Sequence, residues 1–191
     1  MSAITTRKMT VAEYLAWGER PENAESRDEL VNGEVVTMPP PGRPHGVICF
    51  VIAGLFYDYL RRHGPGFATT NDAGLIVAPD TVRGVDVAVF VGEVTEDDEV
   101  GYGVRMPVLC VEVVSPSDRP AQLQKRVTQY HAAGVPLVWL VQPEDRAVMV
   151  HRLGQPVEYL EGDAELTGEP DLPGFACCVS AFFTRPKRAQ P

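Results

Sequence analysis

The side chain most out of place in this sequence is Glu112, inside the otherwise apolar run Pro107-Val-Leu-Cys-Val-Glu-Val-Val114. Near-continuous apolar content of this kind belongs to a central strand covered on both faces. A carboxylate there costs on the order of several kcal/mol unless it is paired or binds a cation. Asp86 is the natural partner, because it too lies in an apolar run, Val85-Asp-Val-Ala-Val-Phe-Val91, and the two strands are consecutive. Two converging carboxylates and a backbone carbonyl such as that of Val113 would make an all-oxygen site suited to Mg²⁺ or Mn²⁺. An ion held there would polarise a phosphate and activate water. The residues leave another arrangement open, in which either acid faces solvent or is salt-bridged to Arg83 or Arg105. Arg119 and Arg126 are placed to contact a phosphate, although exposed helix charges usually do nothing so specific. Ser115 and Ser117 have no His-and-acid arrangement, so serine hydrolysis is a poor fit. Trp139 and Tyr130 read as core or interface anchors rather than base-stacking platforms.

The elements that must position these residues are readable from spacing. Thr10-Val-Ala-Glu13 has capping-box spacing and opens a short helix to about Trp17. Glu29 to Thr37 is a hairpin around Asn32-Gly33, residues that tolerate the positive φ of a type I′ turn. After Pro39-Pro-Pro-Gly-Arg-Pro44, the residues His45 to His63 carry apolar side chains at helical period, and Gly64 closes that helix. His45 therefore stands at a helix entry, where a lone histidine is commonly held by a local hydrogen bond. Short strands are expected at Gly66–Thr70 and Gly74–Ala78, then a Pro79-Asp80 turn into the Asp86 strand. Glu93 to Glu99 is acidic enough for a solvated loop. Ser115-Pro-Ser-Asp118 offers helix-start chemistry for a helix to Ala133, closed by Gly134, before a buried strand at Leu137–Val141 and an antiparallel neighbour from Ala147. Strand, helix, strand in that order makes a right-handed parallel crossover. The fold class is therefore α/β, a mixed sheet flanked by helices with an N-terminal β-hairpin. One domain is expected over residues 1–184, with 185–191 a frayed basic tail.

Composition bounds the rest. The 191 residues are 45% apolar and 23% charged, an ordinary globular balance that excludes disordered and collagen-like chains. With 26 acidic against 17 basic residues the net charge is −9, so any nucleic-acid binding must come from a local site rather than diffuse attraction. The four cysteines, at 49, 110, 177 and 178, have no CxxC spacing, and the adjacent pair does not easily reach opposite sides of one small metal cage, so a zinc site is not expected. No apolar run is long enough to span a bilayer and no signal segment is visible, so a soluble cytoplasmic protein is expected.

The string Glu112-Val-Val-Ser-Pro-Ser-Asp-Arg119, followed by Lys125, Tyr130, Ala133-Gly-Val135 and Val138-Trp-Leu-Val141-Gln-Pro143, resembles the core signature of the Uma-type putative restriction endonuclease family. That family is a branch of the PD-(D/E)XK nuclease superfamily. Met9-Thr-Val-Ala-Glu-Tyr-Leu15, Asp28-Glu-Leu-Val-Asn-Gly-Glu34, Pro44-His-Gly46, Val85-Asp-Val-Ala-Val-Phe90 and Leu172-Pro-Gly-Phe175 agree in order and spacing, so the similarity covers nearly the whole chain. The resemblance implies a restriction-endonuclease-like fold. It implies that Asp86 and Glu112 are the two core acids, that Lys125 supplies the basic group from the helix, and that Glu29 is an additional acid. His45 matches the family pattern and would sit at the site edge against phosphate or water. Val114 stands where a lysine is usual, Ala121 where an aspartate is common, and Val85 where a proline is usual. On a helical wheel Lys125 lies opposite Leu123, Val127 and Tyr130, so it would reach a site only if the helix were covered on two sides.

The function these observations imply is a Mg²⁺- or Mn²⁺-dependent endonuclease that hydrolyses DNA phosphodiester bonds by metal-activated water, with a homodimer as a plausible assembly. The alternative is a non-catalytic nuclease-like module binding nucleic acid or protein. A phosphoesterase for small nucleotides is a third option that suits the acidic charge.

Overall fold

The computed structural model describes residues 8–23, 26–99 and 101–183. The tail at 185–191 lies outside the described residues.

Helix α1 (Val11–Gly18) starts at Thr10, where the reciprocal capping box with Glu13 forms. Strands β1 (Asp28–Val31) and β2 (Glu34–Thr37) make the hairpin, with Asn32 at φ 51° and Gly33 at φ 80° in the turn. Helix α2 (Arg43–His63) follows with Pro44 in its first turn, where a missing N–H costs nothing. Gly66–Thr70 and Gly74–Ala78 belong to one strand, β3 (Gly66–Ala78), whose register shifts between Thr70 and Ala73 as Asn71 and Asp72 take positive φ. Its antiparallel partner β4 (Thr81–Val91) begins four residues before the apolar run suggested. The acidic segment contains a single 3₁₀ turn, Glu96–Asp98.

Strand β5 (Leu109–Val113) is buried at every position, Glu112 included. Helix α3 (Pro120–Ala132) starts later than Ser115–Asp118. Proline after Arg119 forces that residue into extended backbone, φ −100° and ψ 135°, and then serves as the first helical residue. Asp118 instead closes a turn by accepting from the Ser115 N–H at 2.8 Å. Strands β6 (Leu137–Gln142), β7 (Ala147–Arg152) and β8 (Glu158–Glu161) complete the sheet, while β9 (Glu165–Thr167) and β10 (Ala176–Cys178) form a separate pair ahead of a 3₁₀ segment at Val179–Phe183.

The sheet runs β2-β1-β4-β5-β6-β7-β8, with β3 on β4, and among the described residues only β5 and β6 pair in parallel, across the α3 crossover. One face is packed by α2 and the C-terminal 3₁₀ segment around Trp139, Phe56, Phe175 and Phe182. The other is packed by α3 through Val127 and Tyr130. Among the described residues no helix is long and apolar enough to cross a membrane.

Candidate active site

Strand β4 keeps β3 along one edge for its whole length and divides the other edge between two partners. β1 pairs at Leu30↔Val82, and β5 pairs from Val87↔Val111 onward. Between them, β4 residues 83–86 have no strand neighbour on that side, so side chains replace the missing ladder bonds. Glu29 Oε1 accepts from the Gly84 N–H at 2.9 Å, Arg126 Nη1 donates to the Gly84 carbonyl at 3.0 Å, and Asp86 Oδ2 accepts from the Val113 N–H at 2.7 Å. Gly84 is fixed from the β3 side, where a Cβ on it would meet the Cβ of Asp72 at 2.8 Å.

The junction gathers the acids. Extending the Val87↔Val111 register by one residue sets Asp86 opposite Glu112, and the cross-strand partners of an antiparallel pair share a face. Glu29, Asp86 and Glu112 are buried, at 5%, 7% and 6% exposure, yet all three line one open groove of about 1080 Å³ with His45, Val113 and Arg126. Glu29 accepts from Arg83 Nη1 at 2.8 Å, and Arg83 in turn donates to Gln129. Arg126 bridges the acids, with Nη1 at 3.1 and 3.2 Å from the Glu112 oxygens and Nη2 at 3.1 Å from Glu29. The Tyr130 hydroxyl donates to Glu112 Oε1.

The electrostatics follow from this packing. Burial pushes the Glu112 carboxyl up to about 8; Arg126 and Tyr130 oppose that rise, while Asp86 and Glu29 add to it. Arg126 is held well above its ordinary value: burial works against its charge, but Glu112, Tyr130 and Glu29 outweigh it. His45 Nε2 lies 2.9 Å from Asp86 Oδ1, and that hydrogen bond raises the imidazole pKa against the opposing effect of burial. Three carboxylates thus face two guanidiniums, and burial, with Asp86 and Glu29 adding to it, keeps the proton on Glu112 near neutrality. Hard oxygen donors with an unmet demand for positive charge fit a divalent cation.

The structure therefore brings together Glu29, Asp86, Glu112, Val113, His45 and Arg126. It does not bring Lys125 to them. Lys125 is exposed, as are Ala121, Thr128 and Ala132 around it, so α3 is covered on one side only and the helical period decides its direction. Arg119 is exposed at the start of α3. The arginine that meets Glu112 is Arg126, while Arg83 serves Glu29 and Arg105 serves Asp98. Spacing missed the part of Tyr130, which reads as a core aromatic: only its 0% exposure beside a buried acid reveals that its hydroxyl needs a partner. Cys49, one turn after His45 on α2, was likewise unmarked; with His45 and Asp86 it forms a cluster able to hold a metal ion.

Among solved structures, the fold matches a chain described as a putative nuclease belonging to DUF820 from Anabaena variabilis. The TM-score is 0.76 at 19% identity, covering 92% of this chain and 97% of that one. Residues 11–180 match the Uma2 family, described as a putative restriction endonuclease, and the chain belongs to that family. No curated protein matches it.

Proposed function

We propose that this protein is a divalent-metal-dependent endonuclease acting on DNA phosphodiester bonds, with Asp86, Glu112 and the Val113 carbonyl holding Mg²⁺ or Mn²⁺. The observation that carries this reading is the meeting of Glu29, Asp86 and Glu112 at the β1/β4/β5 junction, in a groove open to solvent. Family membership and the fold of a neighbour described as a putative nuclease support it. When bound, the cation would polarise the phosphate and make a nucleophile of water at neutral pH.

The chain's own residues set the conditions. Glu112 gives up its proton to become a ligand, and Tyr130 and Arg126 hold the resulting carboxylate in place. His45 and the Val113 N–H fix the two oxygens of Asp86. Glu29, clamped by Arg83 and the Gly84 N–H, acts as a positioning residue for Arg126. Arg126 takes the basic role that the resemblance gave to Lys125, with its charge available to a phosphate in the groove. His45 lines the groove, and Arg119, exposed at the start of α3, directly follows the lining residue Asp118; both are within the reading as substrate contacts. No covalent nucleophile is needed. The reading places the enzyme in the cytoplasm and pairs two copies to cut both strands.

Replacing Asp86→Asn or Glu112→Gln is expected to abolish magnesium-dependent plasmid nicking while circular dichroism and Tm show a retained fold. Cleavage retained by either variant refutes the assignment. The second reading, a non-catalytic binding module, is favoured by the contact of Arg126 with both Glu29 and Glu112, which already neutralises part of the acid cluster. Such a module would bind DNA or protein with no magnesium-dependent turnover and no effect of magnesium on Tm, which isothermal titration and a plasmid assay would show.

A further inference from the structure

Asp86 has a second flank that the carboxylate pair does not use. His45 and Cys49 lie four residues apart on α2, so one helical turn sets both side chains on the same face. The ligand atoms of His45, Cys49 and Asp86 all lie within 4.8 Å of one another. The His45 Nε2 to Asp86 Oδ1 distance is 2.9 Å, and the other ring nitrogen, Nδ1, is buried without a hydrogen-bond partner among the described residues. Cys49 is partly buried against the aromatic core, so its sulfur is held near this point rather than sweeping through solvent.

One imidazole nitrogen, one thiolate and one carboxylate oxygen are the donors that zinc-class ions take, at about 2.0–2.1, 2.3 and 2.0–2.2 Å respectively. A tetrahedron on those bonds sets its ligand atoms roughly 3.3–3.6 Å apart, so side-chain adjustments of about an ångström close the observed triangle. Three protein ligands leave a fourth position for water or a ligand oxygen. A thiolate also discriminates: it favours zinc-class ions and is a poor ligand for magnesium. The thiolate and the carboxylate together balance a divalent charge in a half-buried place, where a lone cation would be costly.

We propose that His45, Cys49 and Asp86 form a binding site for a thiolate-accepting transition-metal ion of the zinc class. The site is distinct in chemistry from the all-oxygen pair of Asp86 and Glu112, and it shares one ligand with that pair. An ion seated on the histidine and cysteine therefore draws on the same carboxylate that magnesium would need. The site stands whether or not the protein is a nuclease, because it rests on the placement of His45, Cys49 and Asp86 and not on that activity.

Cobalt(II) is the probe, added to the purified full-length chain. A thiolate-to-cobalt charge-transfer band saturating at one ion per chain and displaced by zinc is the expected result. Cys49→Ser is expected to remove the band and weaken cobalt binding at least ten-fold, and His45→Gln to weaken it by a similar factor. Absence of the band, or its persistence in Cys49→Ser through Cys110, Cys177 or Cys178, overturns the proposal. A measurement on the unmutated chain guards against misfolding of the variants: alkylation of Cys49, read by peptide mass spectrometry, should slow at least ten-fold with zinc and stay unchanged with magnesium. Alkylation indifferent to zinc overturns the proposal as well.

Discussion

The two faces of the central sheet solve opposite problems with the same strands. In β5, Val111 and Val113 enter an aromatic core where Phe56 stacks on Phe175 at 4.5 Å between ring centroids and Trp139 lies 5.8 Å from each. Cys110 and Glu112 alternate to the α3 face, where Cys110 joins an apolar cluster with Val127 and Val138 while Glu112 meets Arg126 and Tyr130 at a junction that also holds Glu29 and Arg83. The aromatic face gains free energy in proportion to the apolar area it removes from water. The charged junction gains little of this kind, since a buried ion network at best offsets its own desolvation. The larger apolar cluster thus lies on the α2 side, and the α3 side, held by its own cluster of Val85, Phe90, Val127 and Leu140, gives up stability at the junction to keep three acids together.

The sharpest way to break that contrast is to damage each face in turn. Trp139→Ala removes the largest fully buried side chain and is expected to cost about 3–5 kcal/mol in urea denaturation. Arg126→Met leaves Glu112 and Glu29 with less countercharge. It is expected to cost about 2–4 kcal/mol, somewhat below the usual figure for a broken buried pair because the Arg126 side chain is 14% exposed. Adding Glu112→Gln to Arg126→Met should recover part of that loss, whereas adding it to Trp139→Ala should not. Additive behaviour of the Arg126 and Glu112 changes would mean that the network carries no coupling, and the contrast between the faces would fail.

Much of this division is legible in the chain. Near-continuous apolar content in Pro107–Val114 and Val85–Val91 marks the strands, and a lone acid in each marks the junction, because packing leaves a buried carboxylate few places to go. The Asn32-Gly33 turn and the α2 period are local and strong enough to survive folding unchanged. The edge exchange of β4 between β1 and β5 is not legible, since it depends on pairing between residues far apart in sequence. β8, β9 and β10 are only three or four residues long and are defined by their partners rather than by their own pattern. On α3, the periodicity of Leu123, Val127 and Tyr130 points Lys125 outward and leaves Arg126 beside the buried stripe. The motif resemblance favoured the lysine, and in the structure the period prevails.

The contrast can also be sharpened with pH. The folded chain raises Glu112 from 4.5 to about 8, so it binds that proton more tightly than the unfolded chain does. The stability this supplies is complete below about 4.5 and is lost as pH rises through about 8. The raised His45 acts in the same sense, its contribution being present below 6.5 and lost above its folded value. Metal-free protein should therefore melt lower at pH 8.5 than at pH 5.5. Glu112→Gln should flatten that fall by on the order of several degrees, leaving the histidine's share. Trp139 has no part in this dependence, so a conservative change there should lower Tm equally at both pH values. A fall of the same size in Glu112→Gln would place the titrating group elsewhere.

The smallest expected effect separates neighbours on α3. Lys125→Ala removes an exposed charge with no assigned partner in the network, so stability should change by less than about 0.5 kcal/mol and magnesium-dependent cleavage should stay near the unmodified rate. Arg126→Lys keeps the charge at the groove but loses the planar fork that holds Gly84, Glu29 and Glu112 together. Cleavage should then drop by about ten-fold or more, the loss expected when one charge-assisted contact of roughly 1.5 kcal/mol is removed from a reacting phosphate or from the acids that hold its cation. If the order were reversed, with Lys125→Ala inactive and Arg126→Lys unaffected, the exposed lysine would have to swing across the helix to reach substrate. The charged face would then be a structural clamp alone, and the basic group of the reaction would come from a side chain that the resting fold leaves in solvent.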